Sequence, residues 1–321
     1  MSLAFNIYAA VGTLAAPLLR RMLSRRVTRG KEDPARLGER FGIASCPRPA
    51  GKLVWLHAAS VGETMSVLAV VEALAGRCEV LLTTGTLTSA QLAAERLPAH
   101  ARHQFIPLDV ADWVEAFLRH WRPNIAVFVE SELWPTTLAK IDQHGIPRLL
   151  INASLSARSA ARWRKLPKFA NILVFGFRYI HVQSKADAAN FKSLGAAGIL
   201  EWGNLKFAAP LLPYDRAALA QLQHDITGPV WLAASTHAGE EAIVAAAHEI
   251  LLAEFPDLVT LIVPRHPERG TEFASPRRSQ GEAPVAGQIY IADKLGELGL
   301  FYRLCTFAFI GGSLVPVGGH N

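Results

Sequence analysis

The chain has 321 residues, of which 50% are hydrophobic and 19% are charged. This length suggests two domains, and the apolar content excludes a globally disordered chain. The three cysteines, Cys46, Cys78 and Cys305, are scattered, which argues against a disulfide framework or a zinc cluster and favours a reducing compartment. The net charge of +6 is uneven, because six basic residues fall within residues 20–31.

The N-terminal segment, residues 3–19, is predominantly apolar and carries no charge. Its length is at the short end for a membrane-spanning helix. Because the basic cluster follows the apolar residues, a cleaved signal peptide is disfavoured, and the remainder of the chain should stay in the cytoplasm. We expect a single-pass anchor that contributes nothing to the sheets, with basic residues that contact anionic lipids. The alternatives are a helix lying in the membrane interface and a soluble helix.

Short apolar segments alternate with helical patterns through the rest of the chain, which is typical of doubly wound parallel sheets. The predicted strands cover residues 53–56, 79–83, 125–129, 148–151, 179–182, 230–234, 258–263 and 307–310. A proline-rich connector at 208–213 predicts a domain boundary, so we expect an anchor with a basic segment at 1–31 and domains at 32–207 and 208–321. The second domain ends on a glycine-rich loop, which predicts that it is incomplete.

The segment 53–74 combines a strand, a loop of small residues and a helix. Ser60 and Glu63 fit the capping box, in which each side chain satisfies a backbone N–H at the start of a helix. Glu63 is also well placed as a base, because the backbone fixes its position. This stretch alone leaves both interpretations open.

Other polar residues also follow predicted strands, where ligands bind to open α/β sheets. Glu130 and Asn152 follow strands of the first domain, and Ser235 and Arg265 follow strands of the second. Arg265 can form a bidentate pair with a phosphate. The glycine-rich loops at 311–313 and 318–319 have backbone N–H groups that suit a phosphate. Together with Lys206, these groups predict an anionic nucleotide ligand in a cleft between the two domains.

Several common motifs are absent from the sequence. There is no G-x-G-x-x-G after the first strand and no P-loop, and neither H-E-x-x-H nor another histidine spacing for a metal occurs. No Asp-x-Asp pair is present to hold a divalent ion on a nucleotide-sugar pyrophosphate. We therefore expect a site without metal or cofactor, in which lysine and arginine neutralise the phosphate.

Eight blocks in the sequence resemble the 3-deoxy-D-manno-octulosonic acid (Kdo) transferases that act on lipid A precursors, which form glycosyltransferase family 30. The blocks are GERFG (38–42), WLHAASVGE (55–63), ESELWP (130–135), NASLSARS (152–159), GNLKF (203–207), ASTHAGEE (234–241), VPRHPER (263–269) and GGSLVPVGGHN (311–321). The resemblance implies an α/β GT-B fold, with two Rossmann-like domains facing a cleft and an N-terminal membrane-anchor helix. It implies inverting, metal-independent transfer of Kdo from CMP-Kdo to a lipid A precursor at the cytoplasmic face of the bacterial inner membrane, with no nucleic-acid partner.

The resemblance also implies roles for individual residues. Glu63 would be the proton acceptor, and Glu130 and Lys206 would stabilise the transition state. The first domain would bind the acceptor and the second the donor. The implied donor contacts are Pro264, Arg265, Leu295, Gly296, Glu297 and Asn321, and further residues expected in the cleft are Ser60, Ser235, Gly312, Ser313 and Gly319.

Two other functions are compatible with these features. A nucleotide-sugar epimerase can share the two-domain architecture, but it would need no lipid acceptor and therefore no anchor. A non-catalytic, membrane-bound protein could bind a nucleotide or lipid A without turnover. An incubation with CMP-Kdo and a lipid A precursor separates the three.

Overall fold

A computed structural model describes residues 3–208 and 211–316 of the chain. The chain divides into two compact units, Met1–Ala209 and Pro210–Asn321. The division falls two residues after the boundary expected from the proline-rich connector. Each unit contains one parallel sheet with helices on its faces.

The first unit contains a seven-stranded sheet in which all neighbouring strands are parallel. Its strands in chain order are β1 (Leu53–His57), β2 (Glu79–Thr84), β3 (Ala101–Phe105), β4 (Ile125–Val129), β5 (Arg148–Ala153), β6 (Phe177–Val182) and β7 (Ile199–Leu200). Their order across the sheet is β3-β2-β1-β4-β5-β6-β7. This doubly wound order places β1 and β4 on either side of the switch point, where such folds bind their ligands.

Nine helices belong to the described part of the first unit. They are α1 (Leu3–Leu14), α2 (Ala16–Thr28), α3 (Val61–Ala73), α4 (Leu87–Arg96), α5 (Ala111–Trp121), α6 (Pro135–Gln143), α7 (Ala157–Arg164), α8 (Pro167–Val174) and α9 (Lys185–Lys192). Two 3-10 helices, Leu37–Phe41 and Leu205–Ala208, lie before β1 and after β7.

The apolar strands of the first sheet are buried on both faces. Successive residues of a strand point to opposite faces, so Trp55 belongs to one hydrophobic cluster and Leu56 to the other. In β2, Leu81 lies in the cluster with Trp55, and Val80 lies in the cluster with Leu56. Because both faces are buried, the sequences of β1, β2 and β4 are continuous apolar segments.

Residues 3–19, where we expected a membrane anchor, do not form one continuous helix. Helices α1 and α2 are separate and bent by 55° at the break. Pro17 lies in the first turn of α2, and its lack of a backbone N–H ends the hydrogen-bond ladder of α1. No single helix among the described residues has the length and apolar character to span a membrane, although this bent pair meets both criteria together.

The N-terminal helices add no strand to the sheet, as expected, but they pack against the rest of the first unit. Phe5 is 5% exposed and belongs to the main hydrophobic cluster, and Leu23 of α2 is 1% exposed. The hydroxyl of Tyr8 donates to Asp109 at 3.0 Å. The guanidinium of Arg20 lies 4.2 Å from the ring centre of Phe41.

The second unit contains a four-stranded parallel sheet. Its strands are β8 (Val230–Thr236), β9 (Val259–Pro264), β10 (Ile289–Ile291) and β11 (Ala308–Ile310), in the order β10-β9-β8-β11. Its helices are α10 (Arg216–Asp225), α11 (Glu240–Leu252) and α12 (Leu298–Leu304), with 3-10 helices at Pro267–Glu272 and Arg278–Gln280. The first strand is again central and is flanked by the second and the fourth, as in the first unit.

Candidate active site

Three of the predicted site residues of the first unit lie at the carboxyl ends of neighbouring strands. Glu63 is in the first turn of α3, just after β1, Glu130 directly follows β4, and Asn152 lies near the end of β5. Because these strands are parallel neighbours, their carboxyl ends bring the three residues together. Lys206 belongs to the 3-10 helix that follows β7, but its side chain lies outside the described part of the chain.

The carboxylate of Glu63 is fixed by two hydrogen bonds. Its Oε1 accepts from the Ser60 hydroxyl at 2.8 Å, and its Oε2 accepts from the Ala59 N–H at 2.8 Å. The Ser60 oxygen in turn accepts from the Glu63 N–H at 3.3 Å. The capping interaction predicted from S-x-x-E is therefore present, and it holds the carboxylate in one orientation at the sheet edge.

The environment of Glu63 favours a base that can take up a proton. Burial raises the pKa of Glu63, the hydrogen bonds from Ser60 and Ala59 oppose that shift, and the charges of Glu132 and Glu130 add to it. The net effect is a raised pKa. A carboxylate with a raised pKa accepts a proton more readily near neutral pH, and such shifts are concentrated at functional sites.

Glu132 and His57 form a second polar pair, which the sequence did not indicate. His57 Nε2 lies 3.4 Å from Glu132 Oε2, and the same oxygen accepts from the indole N–H of Trp134 at 2.6 Å. Burial would raise the pKa of Glu132, but the contacts with His57 and Trp134 outweigh it and lower the pKa. Glu132 therefore keeps its negative charge beside Glu63. The only sequence signal was its place as the second glutamate of ESELWP.

Backbone strain marks three of the predicted residues. Glu130, Asn152 and Ser235 have φ values of 55°, 51° and 56°, in the left-handed region that residues other than glycine rarely adopt. Asn152 and Ser235 also lie at register shifts in their strands, which are the sites of β-bulges. Strained backbone is concentrated at active sites and ligand clamps, so its presence in both units supports these loops as functional.

Asn152 is fully buried and holds the segment that carries Lys206. Its side-chain oxygen accepts from the Leu205 N–H at 2.9 Å, and its backbone oxygen accepts from the Gln183 amide at 2.9 Å. Gln183 in turn accepts from the side chain of Asn204 at 3.2 Å. The NASLSARS and GNLKF blocks are therefore joined by hydrogen bonds within the first unit.

The predicted donor residues that the structure describes in the second unit also lie at or after the carboxyl ends of strands. Pro264 ends β9, Arg265 follows with an exposed side chain, and Leu295 and Gly296 lie between β10 and α12. Leu295 is 82% exposed. Glu297 is bound by the guanidinium of Arg278, with oxygen–nitrogen distances of 2.9 and 3.2 Å.

The glycine-rich loop at 311–313 does not offer its N–H groups to a phosphate, which corrects that interpretation of Gly312 and Ser313. The buried carboxylate of Glu240, at the start of α11, accepts from the N–H groups of Gly312, Ser313 and Leu314 at 2.8, 3.1 and 3.1 Å. Gly311 is required because a Cβ there would lie 2.3 Å from the Ser235 carbonyl. Gly319 and Asn321 lie outside the described residues.

The family model for 3-deoxy-D-manno-octulosonic acid transferase (kdotransferase) matches residues 35–209. A transferase of this name from Rickettsia bellii is 35% identical over 330 residues, covering 98% of this chain and 78% of the relative. The chain belongs to the Kdo transferase family. The family and the glycosyltransferase class predicted from the eight blocks are thereby confirmed. A second relative, from Rickettsia felis, is 36% identical and is covered over 61% of its length, so the chain spans three-fifths to four-fifths of these relatives.

The predicted GT-B fold is also confirmed. The structure of a UDP-GlcNAc 2-epimerase from Neisseria meningitidis, bound to UDP-GlcNAc, superposes with a TM-score of 0.54 and covers 81% of this chain and 77% of that chain. At 13% identity, the likeness concerns the fold alone. It does not favour the epimerase alternative over the family to which the chain belongs.

Proposed function

We propose that this protein transfers Kdo from CMP-Kdo to a lipid A precursor in lipopolysaccharide assembly, with inversion at the anomeric carbon and without a metal ion. The observation that carries this proposal is the geometry of Glu63. Its carboxylate is held by Ser60 and Ala59 at the sheet edge, and its pKa is raised. Family membership supports the choice of reaction.

Glu63 accepts the proton of the attacking hydroxyl. The hydroxyl oxygen forms a bond to the anomeric carbon of Kdo while the bond from that carbon to the phosphate oxygen breaks, and CMP leaves with the electron pair. The hydroxyl proton passes to Glu63. A positioned base of this kind contributes about 10²–10⁴-fold to the rate.

Two further residues of the first unit, Glu130 and Lys206, stabilise charge. Positive charge develops on the sugar as the bond to phosphate breaks, and the carboxylate of Glu130 stabilises it. The ammonium group of Lys206 neutralises the departing phosphate or the Kdo carboxylate, in place of a metal ion. Asn152 supports this role, since it fixes the backbone next to Lys206.

The second unit binds the donor. The exposed guanidinium of Arg265 suits a bidentate contact with the phosphate, and Pro264 fixes the backbone before it. Leu295, Gly296 and Glu297 follow β10 in the chain and contact the nucleotide. The resemblance adds Asn321 as a further donor contact. Ser60 acts through Glu63, and Ser235 supports the donor loop.

The surface of α1 and α2 supports attachment to a membrane. Their exposed apolar side chains recur every three or four residues, at Leu3, Ile7, Val11, Leu14, Leu18 and Met22. Arg21, Arg25 and Arg29 lie next to the end of this stripe. Apolar side chains flanked by arginine are typical of helices that bind anionic lipid surfaces. We place the protein at the cytoplasmic face of the inner membrane because the resemblance to Kdo transferases implies that location, and we expect no nucleic-acid partner.

The direct test is incubation of the purified protein with CMP-Kdo and a lipid A precursor. We expect lipid that has gained Kdo and an equal amount of released CMP. An epimerase would convert a nucleotide sugar without any lipid present, and a non-catalytic protein would bind CMP without turnover. Absence of Kdo-modified lipid, with CMP-Kdo intact, would contradict the proposed function.

A further inference from the structure

Arg40 lies in the GERFG block, to which no function has been assigned above. Its side chain is 4% exposed. Its Nη2 donates to the Gly85 carbonyl at 2.7 Å and to Glu32 Oε2 at 3.0 Å, and its Nε donates to the same Glu32 oxygen at 3.1 Å. The guanidinium also lies 4.6 Å from the ring centre of Phe105. Arg40 is therefore held rigidly, with one donor directed at the loop after β2.

That loop is bonded in turn to the loop that carries Glu63. The Gly85 N–H donates to the Ala59 carbonyl at 3.0 Å, and the Ala59 N–H donates to Glu63 Oε2 at 2.8 Å. The approach of Gly85 to Ala59 is close, because a Cβ on Gly85 would lie 3.1 Å from the Ala59 oxygen. Three hydrogen bonds therefore connect the Arg40 guanidinium to the Glu63 carboxylate.

We propose that Arg40 is a positioning residue for Glu63, acting through Gly85 and Ala59; this rests on the proposed role of Glu63 as the base. Arg40 fixes the loop after β2, that loop fixes Ala59, and Ala59 orients the carboxylate. Arginine suits this position because its planar fork reaches a carboxylate and a carbonyl at once, whereas the lysine ammonium is a single point charge.

If its role were purely structural, Arg40 would link Glu32 to the rest of the first unit and would not affect Glu63. Glu32 also accepts from Arg26 of α2 at 2.9 Å, so the buried pair anchors that helix as well. The two roles differ in what a substitution changes. Loss of an anchor lowers stability, whereas loss of positioning lowers the rate of the chemical step and changes its pH dependence.

Arg148 provides a matched control. It is also a buried arginine, with a bidentate pair to Asp142 at 2.9 and 3.0 Å, a hydrogen bond to a backbone carbonyl, and an aromatic ring 4.4 Å from its guanidinium. It is the first residue of β5 and therefore lies at the amino ends of the strands, whereas Glu63 lies at their carboxyl ends. Arg148→Lys should therefore lower stability as Arg40→Lys does, but leave the reaction unchanged.

The experiment measures Kdo transfer by the full chain and its Arg40→Lys and Arg148→Lys variants over a range of pH. We expect Arg40→Lys to lower kcat at least tenfold with KM for CMP-Kdo within twofold of wild type. The acidic limb of its pH–rate profile should move to higher pH, because a weaker hydrogen bond from Ala59 raises the pKa of Glu63 further. The charges of Glu130 and Glu132 act on Glu63 alike in all three proteins. An unchanged kcat and acidic limb in Arg40→Lys would overturn the proposal.

Two further measurements keep the test independent of folding and of the reaction. Gly85→Ala places a methyl group against the Ala59 carbonyl without altering Arg40, and it should also lower kcat. Amide hydrogen exchange over residues 57–64 should accelerate in Arg40→Lys and not in Arg148→Lys, whatever reaction the protein catalyses. Unchanged exchange would refute the link itself, whereas faster exchange without Kdo transfer by the wild type would refute only the proposed function.

Discussion

Glu63 combines two properties that a base requires, a fixed orientation and a raised pKa. Its orientation comes from local hydrogen bonds to Ser60 and Ala59, which the S-x-x-E pattern predicts. Its pKa depends on burial and on the charges of Glu130 and Glu132. These two glutamates come from a distant loop, so the sequence could indicate the capping interaction but not the electrostatic environment.

The raised pKa of Glu63 predicts the pH dependence of transfer. The base acts when it is ionised, so kcat/KM should fall at acidic pH. The midpoint of this acidic limb should lie above 4.5, the ordinary pKa of glutamate. Glu132→Gln removes a like charge and should move that limb to lower pH. The measurement is kcat/KM against pH for both proteins. A limb that does not move in Glu132→Gln would contradict this electrostatic account.

Residues that are distant in sequence explain most of what sequence reasoning missed. The contact of His57 with Glu132 joins residues 75 positions apart, and that of Arg40 with Gly85 joins residues 45 positions apart. The position of Glu240 in the glycine-rich loop is a further case, with 72 positions between it and Gly312. Local patterns carry no information on such pairs.

The glycine-rich loop of the second unit is an element whose shape depends on one buried charge. Burial would raise the pKa of Glu240, but the backbone N–H groups of Gly312, His237, Leu314 and Ser313 outweigh it and lower the pKa. A lowered folded-state pKa stabilises the protein above the unfolded-state value. That stability is lost as the pH falls through the folded-state pKa.

Glu240→Gln should therefore destabilise the protein at neutral pH. The loss should be about 1.5–3 kcal/mol, as for a hydrogen bond to a charged group, and it should shrink at acidic pH as the wild-type carboxylate becomes protonated. The measurement is thermal unfolding at neutral and acidic pH. Glu249→Gln, on the exposed face of the same helix, is the control and should have no effect. An equal loss at both pH values would contradict the role of the charge.

Helices α1 and α2 have two distinct faces. The apolar composition of residues 3–19 predicted a helical, membrane-directed segment, but Pro17 divides it and Phe5 is buried in the main cluster. Phe5 belongs to a cluster whose other buried members lie between Leu53 and Leu194, so composition alone could not distinguish the face that packs on the protein from the exposed face.

Substitutions on the two faces should have opposite effects. Replacing Ile7, Val11 and Leu14 together by serine should weaken binding to vesicles with anionic lipids and leave stability nearly unchanged, since all three side chains are more than half exposed. Phe5→Ala should cost about 3–5 kcal/mol of stability and leave vesicle binding intact. Vesicle co-sedimentation and thermal unfolding measure both effects. Full vesicle binding by the triple variant would show that another surface attaches the protein.

At the scale of the whole molecule, continuous apolar segments predicted the central strands of both sheets. The strands that sequence reasoning missed lie at sheet edges: β3, β7 and β10. An edge strand has one neighbour and needs less apolar surface, as the polar residues Arg102, His103 and Gln104 in β3 illustrate. Predicting the two-domain architecture therefore required only the buried strands.

The central claim is that Glu63 is the base of a Kdo transfer reaction. Its most direct test is the rate of Kdo transfer by Glu63→Gln, compared with the wild type and with Glu72→Gln, an exposed glutamate on the same helix. Calorimetric titration with CMP should accompany each rate. We predict that Glu63→Gln lowers kcat by about 10²–10⁴-fold, with CMP affinity unchanged, and that Glu72→Gln has no effect. Near-wild-type turnover by Glu63→Gln would contradict the claim.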